Sequence, residues 1–164
     1  MRKVQLMILI LLTCDLAGLA WADAIQPRLY MDWPTGWEYQ SPVARGAITY
    51  FQARQSKEGS TVQQLKIRLI PLSSTAQPVD AQSLHDLVVR LRAATSRVPA
   101  SVQDVQRLST AGYYFSLGKY ESGVDVRHVE GVLMRDGYFL QFTLSTKGAD
   151  PSEILVALGS ISIR

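Results

Sequence analysis

The sequence predicts an α+β fold, an antiparallel β-sheet packed between two main helices, and three observations carry that expectation. From Val62 to Leu72 the chain alternates Leu65, Ile67 and Leu69 against Lys66 and Arg68, the period-two pattern of a strand with one face on a core. Leu84, Leu87, Val88 and Leu91 recur at helical spacing, which puts all four on one side of a helix. Asp136-Gly137 stands between two apolar runs, a strong short-range signature of a β-hairpin.

Size and composition fit one domain over residues 25–164 behind a leader: the chain has 164 residues, 47% of them hydrophobic, and a single cysteine. A chain of this size buries about 68% of its unfolded surface and needs neither metal nor disulfide to fold. The net charge of +3 falls to +2 once Arg2, Lys3 and Asp15 are set aside with residues 1–22. So even a balance lacks the basic stripe of a dedicated nucleic-acid binder, and no nucleic-acid partner is expected.

The leader has three parts. Arg2 and Lys3 form a positive start, Leu6 to Leu12 is unbroken apolar chain, and Ala20-Trp21-Ala22 is a small-x-small cleavage site. This is the grammar of an export signal over residues 1–22, cut after Ala22, or after Ala24 in the Ala22-Asp23-Ala24 frame. The apolar run ends at Thr13 and Asp15, short of the roughly 20 residues that a spanning helix requires. A second reading is lipidation: Leu11-Leu12-Thr13-Cys14 resembles a bacterial lipobox with Thr13 in the place of its small residue. Acylated Cys14 followed by Asp15 would then mark an inner-membrane lipoprotein instead of a periplasmic or otherwise extracytoplasmic protein. Cleavage at Ala22 removes the one cysteine, and with it any disulfide, thiolate nucleophile or cysteine-ligated metal. The sequence also has no asparagine, hence no N-glycosylation acceptor.

In chain order, residues 29–40 read as a short strand, a Pro34-Thr35-Gly36 turn and a second strand beginning near Trp37. Strands over Ala47 to Arg54 and Val62 to Leu72 follow, joined by the loop Ser56 to Ser60. Asp80 caps a helix from about Ala81 to Ser96, with Asp86 and Arg90 as a solvated i, i+4 pair on its outer side. Strands are expected at Val102 to Ser109, Gly112 to Tyr120, Val124 to Met134 and Tyr138 to Ser145. In the last of these Phe139 falls on the otherwise polar side, which implies a partly covered second sheet face. Asp150 as N-cap, Pro151 as first residue, Glu153 closing a capping box and Gly159 as C-cap define the final helix.

Pro34-Thr35-Gly36-Trp37, the amphipathic helix after the early strands, Gly112-Tyr113-Tyr114, the pair Arg127-His128, an aromatic strand after a glycine turn and a closing Ile-Leu-x-x-Leu-x-Ser-Ile from Ile154 together resemble the PsbP-like superfamily. Its bacterial relatives include the DcrB-like envelope proteins. The resemblance spans nearly all of residues 28–163, on short structural motifs. It implies an antiparallel sheet between helices and an assembly, accessory or partner-binding role in place of an enzymatic one. The plant members bind metal or a membrane complex through extensions and loops; this chain lacks their long N-terminal extension, so no photosynthetic role carries over.

Candidate chemistry is sparse. His85 lies at the edge of the apolar helix face, and His128 shares its strand face with Val126 and Glu130 while Asp125 and Arg127 point the other way. No phosphate loop, nucleophile elbow, zinc-protease motif or paired-acid motif is present, so neither cofactor nor metal is expected. Trp33 and Trp37 read as a plug beneath their turn. The aromatic strands around Gly112 to Tyr120 and Tyr138 to Phe142 read as core with some side chains left outward. Tyr114, Tyr120 and Arg127 are the candidate partner-binding residues, because Tyr and Arg are favoured interface anchors. The leading expectation is an exported, non-catalytic envelope accessory protein that binds or supports a protein partner. Two others stay open: a small-molecule or lipid-binding periplasmic protein, which needs a large apolar cavity between helix and sheet, and a hydrolase centred on His128, which needs Ser or Asp converging on that ring.

Overall fold

The computed structural model describes residues 27–73, 79–95, 105–121 and 123–164. The expected export signal, Cys14 and both expected cleavage sites lie outside the described residues, as do positions 102–104 of the expected fifth strand. In chain order the elements are β1 (Leu29–Tyr30), β2 (Trp37–Arg45), β3 (Ile48–Lys57), β4 (Ser60–Pro71), α1 (Ala81–Thr95), β5 (Val105–Ser109), β6 (Gly112–Glu121), β7 (Val124–Arg135), β8 (Tyr138–Lys147), α2 (Ser152–Gly159) and β9 (Ser162–Ile163). The fold is α+β, with two helices packed on a large antiparallel sheet of seven strands in the order β2-β3-β4-β8-β7-β6-β5.

Register and pleat divide the side chains between the two sheet faces. Phe51, Ile67, Phe142 and Gly131 stand opposite one another across β3, β4, β8 and β7. Residues directly opposite share a face, and this one carries the larger core, including Leu65, Leu69, Val129, Leu133, Leu140 and Leu144. Ile154 and Leu158 of α2, with Ile161 and Ile163 behind them, close over it. On the other face Phe115, Val132 and Phe139 receive Leu84 and Val88 of α1. The apparent misfit of Phe139 is thus a second core, in which the side chain is 5% exposed. Leu87 and Leu91 flank that core half-buried, as the helical spacing predicts.

The hairpin turns are tight. Glu58-Gly59 and Asp136-Gly137 both have positive φ at each central residue, 53° and 77° in the first, 50° and 79° in the second. That is the type I′ pattern, whose twist suits paired strands. The expected five-residue loop at Ser56 to Ser60 is therefore only two residues long, since Lys57 and Ser60 already pair. Asp136 has a second role: its Oδ2 accepts the Ile163 N–H at 2.8 Å, and Arg135 donates to the Gly159 carbonyl at 3.0 Å, tying the hairpin tip to the C-terminal segment. β9 then pairs with β1, while Arg28 and Arg164 exchange backbone hydrogen bonds of 2.8 and 3.0 Å.

The caps differ in instructive ways. Asp80 accepts the Ser83 N–H at 2.7 Å, the expected N-cap bond. Asp150 accepts both the Ser152 N–H (3.1 Å) and the Ser152 hydroxyl (2.7 Å), while Pro151, whose carbonyl takes the first helical bond from Leu155, occupies the N-cap position. The capping box with Glu153 is replaced by this Asp-Ser turn. Gly159 is not the C-cap either; Ser160 is. The glycine is needed because a Cβ there would meet the Leu108 carbonyl at 3.0 Å, a close approach of α2 to β5. Asp86 takes the Gln82 amide at 2.8 Å instead of Arg90.

Hydrogen bonds from Ser83 hold the Asp80 carboxyl below its ordinary value, and those from Ser152, with the nearby Arg127 guanidinium, do the same for Asp150. Such groups stabilise the fold fully above the unfolded carboxylate range and lose that contribution as pH falls through the lower folded values. Asp80→Asn and Asp150→Asn, which keep a capping oxygen but no charge, are expected to flatten the acid limb of stability against pH. Thermal melts between neutral pH and the acid transition check this.

Candidate functional site

The β6–β7 register sets Tyr114 opposite Gly131, Gly118 opposite Arg127 and Tyr120 opposite Asp125. All three candidate positions therefore lie on one sheet face, the face of the larger core, towards the end where β6 and β7 run into their connecting turn. Tyr114 is the inner member. It packs half-buried on that core, partial burial pushes its phenol above the ordinary value, and its hydroxyl is hydrogen-bonded to Gln106 Oε1 on β5. Arg127 is exposed; its Nε donates to Asp125 Oδ2 at 2.9 Å and its charge reaches Asp150. The Tyr120 side chain lies outside the described residues, while its backbone is fixed by the pairing with Asp125.

His128 points to the opposite face and its Nδ1 lies 3.1 Å from Ser145 Oγ, its register partner on β8. A serine does converge on this ring, but on an exposed strand surface. Glu130, on the same side of β7, is paired by register with Thr143. His85 meets Tyr113 edge-on at 5.3 Å between ring centroids, the boundary position that its place on α1 predicts. Trp33 and Trp37 pack against the larger core, their rings 6.1 Å apart, and Trp33 continues through Tyr39 (5.6 Å) to Phe51 as an aromatic row at the β2 edge. Among the described residues no three or more His, Cys, Asp or Glu side chains are grouped to hold a metal ion, and no helix is long and apolar enough to cross a membrane.

A groove that the residue pattern does not foretell lies on the other side of the sheet. Beyond the reach of α1, the face that carries Phe139 continues over β8, β4 and β3 as polar surface, and there it is concave. Tyr50, Arg68 and Gln141 stand in one cross-strand row, and Gln52, Lys66 and Thr143 in the next. They floor a groove of about 380 Å³ whose outer wall is Gln40, Ser41 and Val43 of β2. The wall exists because the β2–β3 register shifts between Gln40 and Val43, and a bulge of this kind sharpens the local twist of an edge strand. The alternation of Lys66 and Arg68 signals the polar face, and Pro42, which cannot donate to a ladder and stands between Gln40 and Val43, is the one sequence signal of the bulge that curves it.

No family model and no curated protein matches the chain. A solved protein from Bacteroides thetaiotaomicron is similar in fold, with a TM-score of 0.50 at 12% identity over 83% of this chain. The match takes in 45% of that protein, so this chain spans less than half of its length. At this identity the likeness concerns the fold alone.

Proposed function

We propose that this is an exported, non-catalytic envelope accessory protein that binds a protein partner through the β6–β7 face bearing Tyr114, Tyr120 and Arg127. The observation that carries the reading is the register: it brings these three positions, separated in sequence, onto one face of one hairpin. Asp125 holds the Arg127 guanidinium in place, so less side-chain entropy is lost when a partner docks. Tyr114, anchored by its core packing and by Gln106, gives the patch a rigid inner end. Two apolar clusters, each served by one helix, support the finer architecture as well, a sheet between two helices of the PsbP-like kind.

Capture of envelope proteins by the wild type and by a Tyr120→Ala, Arg127→Ala double variant tests this. Anchors of this type cost more than about 2 kcal/mol when truncated, so the variant should lose its partner while its circular dichroism spectrum is unchanged. His128→Ala should leave capture intact. Equal capture by the double variant and the wild type would remove the hairpin from consideration.

A further inference from the structure

The groove on the opposite face supports an inference that goes beyond partner binding and does not depend on it. Its charge is one-sided: Lys66 and Arg68 line it, Arg45 stands at its rim, and none of the lining residues is a carboxylate. Glu130, across β8 in the Lys66 and Thr143 row, is two strand spacings from Lys66, about 10 Å. Arg54, the next cation along β3, is already paired with Glu38 at 3.0 Å.

Arg68 is held in a state that suits a ligand. Its guanidinium lies over the Tyr50 ring at 5.8 Å, with Arg45 also on that ring at 5.7 Å. Arg68 Nε is buried without a hydrogen-bond partner, and Nη1 reaches Gln141 Oε1 only at 3.5 Å. A buried, unmet N–H on a charged group is costly, and the cation–π contact with Tyr50 keeps the guanidinium at the floor of the groove. An arginine fork takes an oxyanion through two parallel hydrogen bonds, and here that requires the Nε edge to turn out of its buried position towards the groove, which satisfies the unmet N–H. Lys66 adds a second charge on the adjacent row, and Gln52, Gln141 and Thr143 supply neutral hydrogen-bonding groups around it.

We propose that the β2–β3–β4–β8 groove binds a small soluble ligand through a carboxylate or phosphate group, with Arg68 as its fork and Lys66 as its second cation. Volume agrees, since about 380 Å³ lies within the range of sites for small molecules. Binding should weaken as ionic strength rises, because the groove is open to solvent.

Titration calorimetry on the mature protein, with citrate and inorganic phosphate as separate probes and a neutral trisaccharide as control, tests the assignment. At least one oxyanion should bind, and which one does separates the carboxylate from the phosphate source. Arg68→Gln should weaken that binding by about tenfold or more, the effect of one charge-assisted hydrogen bond. Lys66→Gln, at an exposed position, should weaken it with the unfolding midpoint unchanged, and this variant decides the matter if Arg68→Gln does not fold. Binding of neither anion, or undiminished binding by the folded variants, would overturn the proposal. So would binding of a polyglutamate peptide in the groove with neither small anion bound, which would make the occupant a protein segment.

Discussion

Leu158→Ala is expected to destabilise the protein by about 2 to 5 kcal/mol, through lost transfer energy and the cavity left behind. Leu158 is fully buried in the larger core, beside Ile154 and Ile161, where α2 closes over the sheet. A near neighbour in sequence provides the contrast. Val156 on the same helix is 76% exposed, so Val156→Ala should stay within about 0.5 kcal/mol of wild type. Denaturant midpoints at constant slope measure both, and a Leu158→Ala variant as mild as Val156→Ala would mean that α2 does not cover the core.

Gly131→Ala is expected to cost about 3 kcal/mol, the upper end for overpacking a filled core. Gly131 lies on β7 directly opposite Phe142, whose ring covers it: an added Cβ would stand 2.5 Å from Phe142 Cζ and 2.7 Å from the Tyr113 carbonyl oxygen. The ring can turn aside, but the carbonyl belongs to the adjacent strand and cannot move without breaking the β6–β7 ladder. Gly118 supplies the control, because a Cβ there would meet only Arg127 Cγ at 4.0 Å. Equal unfolding midpoints for Gly131→Ala and Gly118→Ala would contradict the register of β6, β7 and β8.

These two positions also mark what the sequence makes legible. Periodicity reports which side chains share a face, so the strand of Leu65, Ile67 and Leu69, the helix face of Leu84 and Val88, and the misfit of Phe139 are all readable from the order of residues alone. The Asp136-Gly137 turn is readable because its backbone demands those residues. Periodicity does not report which strand lies beside which. That β4 pairs with β8, bringing Lys66 and Arg68 beside Thr143 and Gln141, depends on the order of the sheet, and the groove depends on that pairing. The short strand expected at the start of residues 29–40 is β1, but its partner β9 is too short to carry a pattern, and the pair exists because the two segments meet in space. Gly159 satisfies the grammar of a C-cap yet answers to a packing contact with Leu108. The candidate patch shows the same limit: alternation places Tyr114 and Tyr120 on one side of their strand, but that Tyr114 leans on the core and Arg127 sits between Asp125 and Asp150 are tertiary facts.

Partner binding through the β6–β7 face stands or falls on site-specific photocrosslinking in envelope fractions. A benzophenone side chain placed at position 120 reports on that face, and one at position 89, on the exposed outer side of α1, serves as the reference. One discrete adduct is expected from position 120, lost when Arg127→Ala is added, and none from position 89. An adduct from position 89 alone, or an adduct from position 120 that survives Arg127→Ala undiminished, would show that the hairpin face is not where a partner docks.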